Sequence, residues 1–73
     1  MDDIPWYSDA SLEKPGHIFC VGLLTNCVRK WLTLSSADRA LTTLKLSKPI
    51  NNRLRLEAGE IEGLAKRLEG KRL

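Results

Sequence analysis

A chain of 73 residues has room for one small core and excludes a second, since a domain of this size buries only about 60% of the surface its unfolded chain exposes. Its 42% hydrophobic and 29% charged residues lie outside the low-hydrophobicity range of disordered chains. The formal net charge of +3 is sorted along the chain: Asp2, Asp3, Asp9 and Glu13 face only Lys14 over residues 1–15, whereas Arg29, Lys30, Arg39, Lys45, Lys48, Arg53 and Arg55 face only Asp38 over residues 28–55. An acidic head before a basic body points toward binding of charged macromolecules and away from catalysis.

Residues 1–16 carry Pro5, Pro15 and Gly16 and no sustained period, and read as an extended or loosely ordered head. Within it Trp6 and Tyr7 either tuck onto the core or anchor a partner, because exposed Trp and Tyr are enriched at binding hot spots. From His17 to Thr33, apolar positions 20, 24, 27, 28, 31 and 32 recur at spacings of three and four and predict a helix. A hairpin turning at Thr25 and Asn26 competes, favoured by the run Ile18, Phe19, Cys20, Val21 and by Gly22.

Ser35 and Asp38 stand in the order Ser-x-x-Asp, a capping pattern for a second helix of about ten residues with Ala37, Ala40, Leu41 and Leu44 on one face. A third helix is expected beyond Leu56, with Glu57, Glu60 and Glu62 at its start, Lys66 and Arg67 near its end and Ile61, Leu64, Ala65 and Leu68 as its packing face. Gly70 supplies a stop, and residues 71–73 a frayed basic tail. The fold expected is a mostly α, three-helix domain over residues 17–70 behind the acidic head, with a small α+β fold carrying an N-terminal β-hairpin as the alternative.

Cys20 and Cys27 are too few for a disulfide scaffold, and on one helix they would lie roughly 10 Å apart; both are read as reduced thiols in the cytoplasm. The apolar run from Ile18 to Leu24 is too short to span a bilayer, and the acidic N-terminus does not suit an export signal. His17 is the sole histidine, and no zinc-like spacing surrounds it. Cys27 lacks a neighbouring base that would make it a nucleophile, and glutamates 57, 60 and 62 are accounted for by a solvated first helical turn. No enzymatic activity, cofactor or metal is expected.

Residues 36–55 also allow a helix-turn-helix. Ala40 and Ile50 suit the close crossing and the inner face of a recognition helix, while Asn51, Asn52, Arg53 and Arg55 are types that contact base edges and phosphates. Leu44 at the turn and Arg53 at a buried position depart from that pattern, and a capped helix followed by a polar Lys-Pro loop explains the same residues. Arg39, Lys45 and Lys48 complete the candidate nucleic-acid surface.

The head Asp2, Asp3, Ile4, Pro5, Trp6, Tyr7, the basic middle and the length resemble the small RNA-polymerase-binding transcription regulators of lytic Xanthomonas phages. The resemblance implies a non-enzymatic protein in the bacterial host cytoplasm that engages the β and β′ subunits of RNA polymerase near the RNA exit channel. It further implies inhibition of initiation through loss of the sigma factor, and readthrough of terminators. On the residues themselves, Asp2, Asp3, Trp6 and Tyr7 would meet the polymerase surface, and Arg29 and Lys30, with the other bases, acidic protein or emerging RNA. Opposite charge would speed encounter while the aromatics supply affinity. Direct DNA binding through residues 36–55 is the alternative function.

Overall fold

The computed structural model describes residues 4–50 and 52–70. Asp2, Asp3, Asn51 and residues 71–73 lie outside the described residues. The chain builds β1 (Asp9–Lys14), β2 (His17–Leu23), α1 (Leu24–Leu32), α2 (Ser36–Leu41), β3 (Thr43–Ile50), β4 (Arg53–Glu57) and α3 (Ala58–Gly70). The four strands form one sheet in the order β2-β1-β3-β4, with every neighbouring pair antiparallel.

The mostly α expectation is therefore overturned, and the fold is a small α+β one. The first reason lies in the head, where Ala10 and Leu12 alternate with Ser11 and Glu13, the period of a half-buried strand. Ala10 and Leu12 are buried, and β1 is an inner strand of the sheet with partners on both sides. Pro15 and Gly16 close the β1–β2 hairpin, the glycine at φ 80°, where a Cβ would be strained. An N-terminal hairpin is present, but it turns at Pro15 and Gly16 and not at Thr25 and Asn26. The helix expected from His17 begins only at Leu24, because the β-branched and aromatic residues before it suit a pleated edge and Gly22 holds φ 152°.

α1 buries Leu24, Cys27, Val28 and Trp31, the i, i+3, i+4, i+7 stripe of a helix lying on a sheet. Its N-cap, Leu23, offers no side-chain acceptor. The head supplies the acceptors: the Leu24 N–H donates to Ser8 O at 2.9 Å and the Thr25 N–H to Trp6 O at 3.0 Å, so two of the four orphan amides of the first turn are satisfied by residues 4–8. The same segment buries Ile4 and Trp6 in the core. A boundary at residue 16 between a loose head and a folded domain thus cuts through a hairpin.

α2 is capped as the sequence predicts, with the Asp38 N–H donating to Ser35 Oγ at 3.3 Å, but it runs for 6 residues. Thr42 ends it in extended backbone and is locked there, its Oγ1 donating to Arg39 O at 2.7 Å and accepting from Trp31 Nε1 at 2.9 Å. Beyond Thr42 the alternation Leu44, Lys45, Leu46, Ser47 becomes β3. The third helix forms as expected and buries Ile61, Leu64, Ala65 and Leu68. Glu60 completes half a capping box, its Oε1 accepting from the Glu57 N–H at 3.3 Å. α1 and α3 pack over one sheet face, where Leu12, Leu44 and Leu56 meet in successive cross-strand pairs, and α2, which buries no residue, lies against α3. The opposite face carries Val21, Ser11, Lys45 and Arg55 in one row.

Candidate polyanion interface on the β3–β4 hairpin

β3 and β4 form a hairpin where a recognition helix was expected, so the helix-turn-helix expected over residues 36–55 is not formed. What the hairpin does is gather the candidate nucleic-acid residues: Lys45, Lys48, Asn52, Arg53 and Arg55 all lie on it, and all are exposed. Ile50 pairs with Arg53, which leaves a two-residue loop, and Asn52 adopts φ 66°, a left-handed turn conformation that asparagine tolerates. Next in the ladder, Lys45 pairs with Arg55. Residues 46–49 therefore stand opposite Leu54 alone, a bulge that Pro49 favours because it donates no ladder hydrogen bond. The bulge sets Lys48 outside the regular ladder.

Between residues 45 and 55 there are four bases and no acid. Lys45 and Arg55 are direct cross-strand neighbours, an arrangement of like charges that opposes folding. Glu13 on β1 offsets it, with Lys45 Nζ 3.0 Å from Glu13 Oε1 and the Ser11 hydroxyl donating to Glu13 Oε2 at 3.0 Å. Lys45 first, then Ser11 and Arg55, hold the Glu13 carboxyl below its ordinary value. Arg53 Nη1 reaches Glu60 Oε2 at 2.8 Å. Both pairs are solvent-accessible, and exposed pairs of this kind add little stability. Among the described residues Lys48 and Arg55 have no ion-pair partner.

Arg39 is not part of this surface. Its Nε donates to Trp31 O at 3.3 Å and its Nη2 to Leu32 O at 2.6 Å, and its guanidinium lies 4.9 Å from the Trp31 ring centroid. It closes the carbonyl end of α1, and its fork is consumed in doing so. Arg29 and Lys30 stand exposed in the last turn of α1, where cations favour the helix dipole, on a different element from the hairpin. Of the two aromatics proposed as an anchor, Trp6 is buried and only Tyr7, 81% exposed, is open to a partner.

The groups tested for chemistry are also placed. Cys27 Sγ sits 3.6 Å from Ala10 O and 3.8 Å from Cys20 O, so the two cysteines are neighbours across β2 and α1 rather than a helix length apart. Burial, with Cys20 alongside, pushes the Cys27 thiol up to about 12, a poor nucleophile. His17 is exposed and edge-on to Phe19 at 4.7 Å. Among the described residues no group of three His, Cys, Asp or Glu side chains could hold a metal ion, and no helix is long and apolar enough to cross a membrane.

Sequence reading overlooked Leu54, 55% exposed on β4. The signal was the alternation Arg53, Leu54, Arg55, Leu56, Glu57, whose apolar members share one face of a strand. Compared with known proteins, the chain matches no family model, no curated protein and no solved structure.

Proposed function

We propose that this chain is a non-enzymatic transcription regulator that acts by binding, with the β3–β4 hairpin as its contact surface. Its partner in this reading is bacterial RNA polymerase, through acidic surface on the β and β′ subunits. Lowered initiation and readthrough of terminators are the consequences that the resemblance implies. One observation carries the reading: Lys45, Lys48, Arg53 and Arg55 share one hairpin with no acid between residues 45 and 55, and two of the four are cross-strand neighbours. A stability-driven surface would separate such charges, whereas an anionic partner neutralises them and gains fast, oriented encounter.

The test is capture of purified RNA polymerase by the tagged chain, with and without nuclease. Wild type should retain β and β′ after nuclease, and the double variant Lys48→Glu, Arg55→Glu should lose them. Equal capture by both chains would refute the hairpin as the contact. A second reading is direct DNA binding, favoured by the shape of the hairpin, since a two-stranded ribbon fits the major groove. Recovery of nucleic acid in place of polymerase, weakening steeply with salt, would select it.

A further inference from the structure

β4 is an edge of the sheet: it pairs with β3 on one side, and among the described residues no strand lies beyond it. Among the described residues no backbone hydrogen bond reaches Arg53–Leu56 from any element other than β3, and the Glu57 N–H is taken by Glu60. Edge strands of this kind are templates for another strand, and proteins guard them with charge, proline or a bulge. The other edge, β2, is guarded by irregularity, because Leu12 pairs with Cys20 but Glu13 with Ile18, which leaves Phe19 as an extra residue. In the β3–β4 bulge the extra residues lie on β3, so β4 itself carries no inserted residue, and it has no Gly or Pro among its five. Its guards are Arg53 and Arg55, and they are selective. Two antiparallel copies of β4 centred on Arg55 would set Arg55 against Arg55 while Arg53 met Glu57, whereas an acidic strand gives Arg55 an opposite charge.

We infer that the β4 edge accepts an acidic, extended segment of a partner protein as a fifth strand of the sheet. The inference rests on the hairpin being the contact surface and adds the way the partner binds. Main-chain hydrogen bonds to β4 give the affinity and side chains on alternate faces give the choice of sequence. On the open face Arg55 lies in one row with Lys45 and calls for Asp or Glu in the incoming strand. On the other face Leu54 remains 55% exposed although it points the same way as the buried Leu56, and it calls for an apolar neighbour. The recognised segment therefore alternates acidic and apolar residues over about five positions, roughly 17 Å of strand.

The probe is an end-blocked peptide of sequence Glu-Val-Glu-Val-Glu-Val-Glu, titrated against the full chain with amide hydrogen exchange as the readout. Exchange at residues 53–56 should slow at least tenfold on saturation, and a variant peptide with proline at its centre should bind at least tenfold more weakly. Arg55→Glu should abolish binding and Leu54→Ser weaken it about threefold; both positions are exposed, so circular dichroism should show the native fold in each. Equal binding of the proline peptide, or binding without protection of residues 53–56, would overturn strand addition. If polymerase capture still needs Lys48 and Arg55 in that case, the hairpin remains the contact surface and only the mode of binding is wrong. Loss of both results removes the surface itself.

Discussion

Replacing Arg39 by alanine separates a structural arginine from a binding one. The side chain is half-buried and holds the carbonyls of Trp31 and Leu32, two hydrogen bonds from a charged donor worth about 1.5 kcal/mol each at the low end of their range. Its position over the Trp31 ring adds about 0.5–1 kcal/mol. Water recovers part of this at a helix end, which leaves about 3 kcal/mol. Domains of this length have total stabilities of about 4–11 kcal/mol, so the variant stays folded but loses a large share of its margin. With a urea slope of about 1 kcal/mol per molar, the unfolding midpoint should fall by about 3 M, followed by tryptophan fluorescence. Arg39→Lys keeps the charge but not the planar fork, and should recover no more than about half of the loss. Binding to an anionic partner by the folded Arg39→Ala chain should be unchanged. A midpoint shift under about 0.5 M, or full recovery by lysine, would refute the assignment of Arg39 to the end of α1.

Trp6→Ala should cost about 3–4 kcal/mol, as removal of a buried indole does, whereas Tyr7→Ala, at an 81% exposed position, should stay within about 0.5 kcal/mol; paired urea titrations read both. Lys45 holds Glu13, and Lys14 holds Asp38, below their ordinary values of 4.5 and 3.8. Each carboxylate therefore stabilises the fold fully above its ordinary value and less as pH falls through the lowered folded one. The double variant Lys14→Met, Lys45→Met should flatten the dependence of the urea midpoint on pH below about 4.5, and an unchanged slope would count against these pairs. An aromatic disulfide reagent near neutral pH should label Cys20 in the native chain and reach Cys27 only on unfolding, as Cys27 is buried and its thiol stays protonated.

The parts of the fold legible in the sequence are those set by neighbours in sequence. Ser35 and Asp38 make a cap by themselves, and the stripe Ile61, Leu64, Ala65, Leu68 has one periodic reading, so the end of α2 that matters for capping and the whole of α3 stood out. β1 was hidden because its apolar positions are only Ala10 and Leu12 between polar residues, and their value comes from partners far along the chain. Leu44 fits both the helical spacing from Ala37, Ala40 and Leu41 and the alternation with Leu46; pairing with Leu12 and Leu56 decides it, and no local rule contains that pairing. Charge and side-chain type singled out Lys45, Lys48, Asn52, Arg53 and Arg55, while the tertiary structure turned their expected helix into a ribbon, buried Trp6 and tied Arg39 to the end of α1.

The strand order also divides the sheet into two locally built hairpins joined along one seam, β1 against β3. β1 and β2 are joined by a two-residue turn, as are β3 and β4, but β1 pairs with β3 through contacts such as Ala10 with Leu46 and Leu12 with Leu44, more than thirty positions apart in the chain. The ion pair Lys45–Glu13 bridges the same two hairpins, and Lys14–Asp38 ties the first of them to α2. Closing that long loop is the slow event for such a chain, because its entropy is lost before the contacts form. β1, part of the segment that reads as a loosely ordered head, is thus the strand through which the two hairpins pair, and loop closure predicts that contacts such as Leu12 with Leu44 limit the speed of folding.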